Sequence, residues 1–197
     1  MNENEYSIQE LIQRPVYIGD MRVGVVVGER IHPNTDRVKS MRIQVEGTIA
    51  EEYMRKAADV APLGKDLVHS IRDDGGIKLT KSIRELQRRW RNTIRVSEKL
   101  YAPDELIDRA VIDSDGVEVG IISGLVKVKR TYKGVEVKVR TTVQRNLELE
   151  EFIKIPICSF QRTRDSMDDI VLSRTMKKLI NLPSYENINL GLFDEEE

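Results

Sequence analysis

The sequence predicts a mainly β protein with short helices, organised as two tandem small β-barrels. Two observations carry this prediction: a unit of about 95 residues is written twice, and each copy alternates short β-branched runs with turn residues. In the opening part of each copy, the same positions recur at offsets of 95 to 96 residues: Val16 with Val111, Gly24 with Gly120, and Gly28 with Gly124. A repeat of this length in a chain of 197 residues favours two domains.

The closing part of each copy supports the same conclusion. Five positions recur there at an offset of 93 residues: Ile77, Leu79, Thr80, Ile83 and Leu86 match Ile170, Leu172, Ser173, Met176 and Leu179. Because the offset changes so little along the chain, the copies differ by small loop deletions. The sequence therefore predicts a first domain over residues 1–97, a second over 98–183 and an acidic tail over 184–197.

The first copy contains five runs with the composition of strands: Val16–Ile18, Val23–Val27, Val38–Val45, Leu67–Ile71 and Ile77–Leu79. The apolar residues of the segment Ile49–Val60 have helical spacing, which predicts a short helix. A second helix is expected to start near Lys81, because Ser82 and Glu85 have the spacing of a capping box.

The second copy opens with a predicted hairpin over Asp108–Gly124, in which Asp113–Gly116 forms the turn. Another hairpin is predicted between Leu125–Arg130 and Val135–Val143, with its turn over Tyr132–Gly134. In both copies turn signals recur about every 8 to 12 residues, as in small barrels and sandwiches. Closure into a barrel would remove the edges that valine-rich strands otherwise expose.

The composition excludes several classes of function. The formal net charge of −1 gives no overall attraction to nucleic acid or to an anionic membrane. The single Cys158 excludes an intrachain disulfide, and its apolar neighbours predict a buried thiol in a reducing compartment. No apolar run approaches the ~20 residues that a membrane-spanning helix needs. We therefore expect a cytoplasmic protein without direct membrane insertion.

No set of residues in the sequence has the spacing of a catalytic or metal site. His32 and His69 lie 37 residues apart and have no acidic or cysteine partner at ligand spacing. The carboxylates of Asp113 and Asp115 fall in a predicted turn, where Asp bonds its own backbone. The sequence thus predicts neither an enzyme nor a bound cofactor or metal.

A basic segment over residues 78–95 is the first candidate site. Its predicted partner- or RNA-binding residues are Lys81, Arg84, Arg88, Arg89, Trp90, Arg91 and Arg95. Such a cluster favours an anionic partner, with contacts that weaken in salt. The alternative is pairing of these cations with the acidic residues of the segment 98–118, which would leave little free charge. The sequence leaves both interpretations open.

The end of the chain is the second candidate. Leu190, Leu192 and Phe193 precede four acidic residues, a pattern that is typical of a linear docking peptide. A frayed terminus without a partner is the alternative.

The run VIDSDGVEVGIISGLVKV, which starts at Val111, resembles the opening of PRC-barrel domains, a family named after the photosynthetic reaction-centre H subunit. The later run IPICSFQRTRDSMDDIVLS resembles the closing strands of the same family. The runs RPVYIGDMRVGVVVGERI and LVHSIRDDGGIKLTKSIREL look like a second, more divergent copy, in which Gly19–Arg22 replaces the usual turn. The resemblance covers roughly residues 6–90 and 100–183.

The resemblance implies two barrels of PRC-barrel type and a non-enzymatic adaptor. The family includes a ribosome-maturation factor and archaeal cell-division proteins, and a tandem arrangement resembles the archaeal group most. There the implied partners are the tubulin-like division ring and its SepF-type membrane anchor. We accordingly expect protein partners, recruitment to the division site through one of them, and a symmetric homodimer as one arrangement. An RNA- or ribosome-associated factor that uses the basic segment stays as the alternative.

Overall fold

The computed structural model describes residues 6–31, 38–96, 98–161 and 170–193. The chain divides into two compact units, Met1–Glu105 and Leu106–Glu197, slightly later than the predicted boundary after residue 97. Both units are mainly β with short helices, as the sequence predicts.

The first unit forms an eight-stranded sheet with short helices between the strands. Its elements are α1 (Ile8–Leu11), β1 (Pro15–Ile18), β2 (Met21–Ile31), β3 (Val38–Val45), α2 (Gly47–Tyr53), β4 (Val60–Leu63), β5 (Val68–Ile71), β6 (Ile77–Leu79), α3 (Ile83–Arg91), β7 (Ile94–Val96) and β8 (Lys99–Tyr101). The strand order is β5-β6-β1-β2-β3-β4-β8-β7. Neighbouring strands are antiparallel except for the parallel pairs β1–β6 and β4–β8.

The second unit forms a five-stranded sheet in the order β12-β11-β10-β9-β13. Its elements, of which the first begins at the end of the preceding unit, are α4 (Pro103–Leu106), β9 (Ala110–Ile112), β10 (Glu118–Val128), β11 (Thr131–Val139), α5 (Thr141–Leu147), β12 (Phe152–Pro156), β13 (Ile170–Val171), α6 (Met176–Leu179) and α7 (Pro183–Leu190). As in the first unit, the strand that precedes the closing helix, β13, runs parallel to the opening strand β9.

The two units share one framework, which consists of β1 to β6 in the first unit and of β9 to β13 in the second. The likeness extends to single hydrogen bonds. A side chain at Gly24 would meet the carbonyl oxygen of Gln44 at 2.2 Å, and one at Gly120 would meet that of Lys138 at 2.1 Å, so only glycine allows these strands to approach. Directly after β6 in the first unit, the amide and hydroxyl of Thr80 both donate to the carbonyl of Leu67. Ser173 makes the same two bonds to Ser159.

Neither sheet closes into a barrel among the described strands, which corrects the closed barrels that the sequence predicts. In the first unit, β4 and β5 follow each other in the chain but lie at different ends of the six framework strands. The 3-10 turn Lys65–Leu67 between them interrupts the ladder, and β8 occupies the outer edge of β4 instead. In the second unit the 3-10 turn Ile157–Ser159 has the same position, and only an isolated bridge joins Phe160 to Leu172.

Each sheet encloses apolar side chains on its inner face. The alternation of the strands predicts this well: Met41, Ile43 and Val45 of β3 are buried, and so are Val135, Val137 and Val139 of β11. The helices cover the cores through pairs such as Leu86 and Trp90 of α3. The other face of β3 is partly covered as well, since Ser40 and Arg42 are buried there.

Several local predictions are wrong for identifiable reasons. The turn between β10 and β11 lies at Lys129 and Arg130 rather than over Tyr132–Gly134. Gly134 is needed within β11, because a side chain there would meet Ile188 at 2.4 Å and the carbonyl oxygen of Ile155 at 2.5 Å. Cys158 is exposed rather than buried, since the 3-10 turn after β12 takes it out of the strand alternation.

The predicted tail is also a folded element over most of its described length. The helix α7 starts with a proline in its first turn and ends at Gly191, which has a positive φ of 71°. Ile188 is the buried contact of this helix with the sheet. Residues 194–197, which carry the acidic end, lie outside the described residues.

Candidate functional site

The helix α3 presents a row of arginines that we call the arginine face: Arg84, Arg88 and Arg91. These residues are three and four positions apart, so they lie on one side of the helix, opposite the buried pair Leu86 and Trp90. All three side chains are exposed, and within the described ranges none has an ion pair or hydrogen bond. At about 1.5 Å per residue, the row spans roughly 10 Å.

Two other predicted cations on this segment are paired. The Nη2 atom of Arg89 lies 2.8 Å from Oδ2 of Asp66, and Nζ of Lys81 lies 3.4 Å from Oε1 of Glu85. Both acids belong to the first unit and neither lies in the acidic segment 98–118 that the alternative interpretation invokes. Because Arg89 and Lys81 are paired, we do not include them in the arginine face.

Trp90 and Arg95 lie apart from the arginine face. Trp90 is 4% exposed and its Nε1 donates to the carbonyl of Pro62, so its ring belongs to the core and not to the basic surface. Arg95 is a half-buried residue of β7, opposite Leu100 in the β7–β8 hairpin.

A second surface lies on the outer face of the second sheet, and we call it the apolar row: Ile121, Lys138 and Phe152. The register of the sheet places Lys138 of β11 between Ile121 of β10 and Phe152 of β12. Ile121 is 45% exposed and Phe152 is 47% exposed, and the Lys138 ammonium lies 5.8 Å from the centre of the Phe152 ring. Beside the row is an open depression of about 390 Å³ that is lined by Gly120, Arg140, Thr141 and Thr142 among others.

The apolar row ends at the edge of its sheet. Lys154 uses its amide and its carbonyl to bond the side chain of Asn189 from α7, at 2.9 and 2.8 Å. Because backbone groups alternate in direction along a strand, Phe152, two residues earlier, turns its amide and carbonyl toward the same edge. No described strand lies beside β12 on that side.

Val60 of the first unit corresponds to Phe152 of the second. The register of β4 places Val60 opposite Gln44, just as the register of β12 places Phe152 opposite Lys138. There β8 lies alongside, with Lys99 as the partner of Val60. The amides of Asp59 and Val60 donate to the carbonyl of Glu98, at 3.0 and 3.3 Å. Among the described residues, the same edge is thus covered by a strand in the first unit and by no strand in the second.

A buried ion pair lies under a cavity of the first unit. Arg42 has a fully buried side chain, and its Nη2 lies 3.0 Å from Oε2 of Glu105, whose side chain is 2% exposed. Glu105 also accepts from the Ser40 hydroxyl and from the Ala102 amide, and Arg42 donates to the carbonyl of Leu100. The cavity above has a volume of about 340 Å³ and its other walls include the Arg89–Asp66 pair and Trp90. These bonds fix the segment 102–105 against β3.

The docking residues predicted at the end of the chain are only partly exposed. Leu190 ends α7 and is 64% exposed, and Leu192 is similarly exposed, whereas Phe193 is half-buried. Because α7 packs on β12 through Ile188, Leu190 is presented by a folded helix and not by a free peptide.

The predicted turn carboxylates serve the backbone. Asp113 is buried, and its Oδ1 accepts from the amides of Asp115 and Val117 at 2.9 and 3.1 Å. Its Oδ2 accepts from the amide of Met176 at 3.2 Å. His69 is an exposed residue of β5, and His32 lies outside the described residues. Among the residues that the structure describes, no group of three acidic, histidine or cysteine side chains could hold a metal ion.

The sequence reasoning missed the apolar row and the Arg42–Glu105 pair. A signal for the former exists: in the run Phe152–Pro156 the alternation buries Ile153 and Ile155, which turns Phe152 outward. No comparable signal exists for Arg42 and Glu105, because residues 63 positions apart carry no local pattern of contact.

Within the described parts of the chain, no helix has both the length and the apolar character to cross a membrane. A scan against models of protein families finds no match for this chain. A search of curated proteins likewise finds no protein that is similar to it in sequence.

Proposed function

We propose that this chain is a non-enzymatic adaptor that binds a protein partner along the apolar row and the open edge of β12. The observation that carries the proposal is Phe152, a large apolar side chain that is 47% exposed at a sheet edge. An exposed strand edge binds an extended segment through main-chain hydrogen bonds, and alternate side chains of that segment occupy the neighbouring face.

The first unit supports this proposal because it holds such a segment already. In β8 the residues Leu100 and Tyr101 are buried, and Lys99 pairs with the framework position that corresponds to Phe152. The framework therefore accepts an added strand at this edge. In the second unit the partner supplies that strand.

The resemblance to PRC-barrel domains gives the proposal its biological setting. We extend the proposal to an archaeal cell-division complex, in which the partner is the SepF-type anchor of the tubulin-like division ring. A protein that acts in this way is cytoplasmic and reaches the division site through its partner. The duplicated framework suits an adaptor, since one copy can keep its edge covered while the other binds.

The test combines substitution with capture. Phe152→Glu places a charge on the open edge, while Val117→Ser changes an equally exposed apolar residue in the turn before β10. We expect the wild-type protein and the Val117→Ser variant to retain the same partner from native lysate after crosslinking, and Phe152→Glu to lose it. Recovery of ribosomal proteins or RNA alone would overturn the division proposal.

A second measurement separates binding from folding. Backbone amide exchange of Phe152 is expected to slow when the purified partner is added, because the partner would accept that hydrogen bond. If the partner binds with unchanged affinity to Phe152→Glu and leaves this amide unprotected, the edge of β12 is not the adaptor surface.

A further inference from the structure

The arginine face of α3 is not used by the adaptor surface proposed above, which lies in the second unit. Its three guanidinium groups are exposed on a helix that is fixed from behind by Leu86 and Trp90. Two nearby acids are already paired, since Glu85 of α3 pairs with Lys81 and Asp66 of the turn Lys65–Leu67 pairs with Arg89. Within the described residues, the unpaired arginines of α3 therefore all lie on the arginine face.

The second unit shows that the framework does not require this charge. The corresponding helix α6 has four residues, Met176–Leu179, and ends before a position equivalent to Arg88 could occur. Its buried residues Met176 and Leu179 serve the same packing role as Ile83 and Leu86. The longer helix of the first unit adds the arginines without adding a core residue other than Trp90.

The geometry favours a short row of carboxylates over a nucleic acid. Guanidinium groups bind carboxylate and phosphate equally well as planar forks, so the surroundings decide between the two. Single-stranded nucleic acid needs exposed aromatic side chains on which its bases stack. Trp90 is buried, and the large apolar residues that the described structure exposes all lie in the second unit.

The length of the arginine face also favours a short row of carboxylates over a nucleic acid. The row covers roughly 10 Å, about two turns of helix, whereas a nucleic-acid backbone would continue beyond it over a protein whose formal net charge is −1. A helical peptide with acidic residues three and four positions apart presents its carboxylates at the same spacing as the arginines.

We infer that the arginine face is a docking site for a short acidic segment of a protein partner, with carboxylates spaced at i, i+4 and i+7. This site is independent of the edge of β12, so its failure or success leaves the adaptor surface of the second unit untouched. Together the two surfaces would let one chain hold two partner segments of different chemistry, one acidic and helical and the other extended and apolar.

The test uses a fluorescent synthetic peptide of alanine and glutamine that carries glutamates at i, i+4 and i+7. We expect it to bind the full chain at low salt, to bind more weakly as salt is added, and to bind at least about tenfold more weakly to the Arg84→Glu/Arg88→Glu/Arg91→Glu variant. A peptide of the same composition with its glutamates distributed around the helix should bind more weakly than the matched one.

The matched control is the Lys177→Glu/Lys178→Glu variant of α6, which reverses exposed charges on the equivalent helix. It is expected to bind the peptide within about twofold of the wild-type protein. Unchanged Trp90 fluorescence in the arginine variant would show that its first unit is folded. The neutral Arg84→Gln/Arg88→Gln/Arg91→Gln variant should also lose affinity, which excludes repulsion as the only cause.

Several results would overturn the inference. The first is absence of peptide binding at low salt, and the second is equal affinity for the two peptides or equal loss in the α6 control. The third is tighter binding of duplex or single-stranded RNA, lost in the arginine variant, which would make the site one for nucleic acid. A change in sedimentation of the protein alone on charge reversal would assign the face to a second copy of the chain instead.

Discussion

The strands β4 and β12 occupy the same place in two copies of one framework, yet their outer edges are covered in different ways. In the first unit β8 adds a strand at Val60, and Trp90 bonds the carbonyl of Pro62. In the second unit Asn189 bonds both backbone groups of Lys154, and no described strand covers Phe152. The interior of the framework is therefore fixed, whereas its edge is the place where the copies acquire separate properties.

The largest expected effect concerns the two glutamates that precede the opening strands. Glu105 accepts the amide of Ala102 and also pairs with the buried Arg42, whereas Glu10 accepts the amide of Ser7 and is exposed. Removing one partner of a buried ion pair leaves a buried charge, so Glu105→Ala should lower the free energy of unfolding by about 3–5 kcal/mol. Glu10→Ala, which removes a capping contact, should lower it by about 1 kcal/mol.

Urea unfolding followed by Trp90 fluorescence measures both changes, because the chain has a single tryptophan and it lies in the first unit. The double variant Arg42→Met/Glu105→Leu should recover much of the loss. Equal effects of the two alanine variants would show that the buried pair is energetically no different from an exposed cap.

The next prediction tests whether the close backbone approach at Gly24 and Gly120 restricts side-chain size equally in both units. Gly24→Ala and Gly120→Ala would each place a methyl group against a backbone carbonyl at little more than 2 Å, so each should destabilise its own unit by about 3 kcal/mol. Hydrogen exchange of β3 and β11 amides reports the two units separately.

Gly47→Ala is the control for these variants, since nothing lies within 4 Å of a side chain at that position. It should be neutral or should stabilise α2 slightly, because alanine favours helix more than glycine does. If Gly24→Ala and Gly120→Ala differ strongly, the copies do not share one packing constraint.

A smaller effect is expected from the edge contact of α7. Asn189→Ala removes the bonds to Lys154 and one to Tyr185, at 2.8 to 2.9 Å, and should weaken the docking of α7 by about 2 kcal/mol. The amide of Lys154 should exchange faster, while amides of β10 should not change.

Asn187→Ala provides the comparison, because Asn187 is an exposed residue of the same helix. It should leave the exchange of Lys154 unaltered. Unchanged exchange in Asn189→Ala as well would mean that α7 protects the edge through Ile188 alone.

The smallest effect concerns pH. Burial raises the pKa of Tyr185 in α7 above its ordinary value of 10.0, because the phenolate is poorly solvated there. The unfolded chain therefore releases this proton at lower pH than the folded one, so the stability of α7 is complete below about pH 10 and declines as the pH rises through the folded value. The Tyr185→Phe variant should lack this decline, as measured by exchange of the Lys154 amide in alkaline buffer.

Much of the framework follows from sequence periodicity. The strand β3 begins and ends where the alternation of Val38–Val45 predicts, and β6 does so as well. The helix α5 was missed because its first residues continue the β-branched run of β11, and only Arg140 and the residues after it leave the ladder. The β7–β8 hairpin was missed because its charged residues resemble a connector.

The candidate surfaces were less accessible to prediction than the framework. The sequence predicts a basic segment over residues 78–95 and a helix that starts near Lys81, but which of its cations are paired depends on Asp66, a residue 23 positions from Arg89. The exposure of Phe152 depends on the end of the sheet, and strand order is a long-range property. Local patterns specify the faces of strands and helices, whereas partners across the fold decide which of these surfaces remain available.

The close approach at Gly24 and Gly120 also bears on how relatives of this chain could be recognised. Apolar core positions can exchange one aliphatic residue for another while the packing is kept, so their identities drift apart between distant relatives. A glycine that faces a carbonyl oxygen has no such substitute, and the hydroxyl of Thr80 or Ser173 has few. A search pattern built on these glycine and hydroxyl positions, with their spacing in each copy, should therefore detect ancestry that overall similarity no longer reveals.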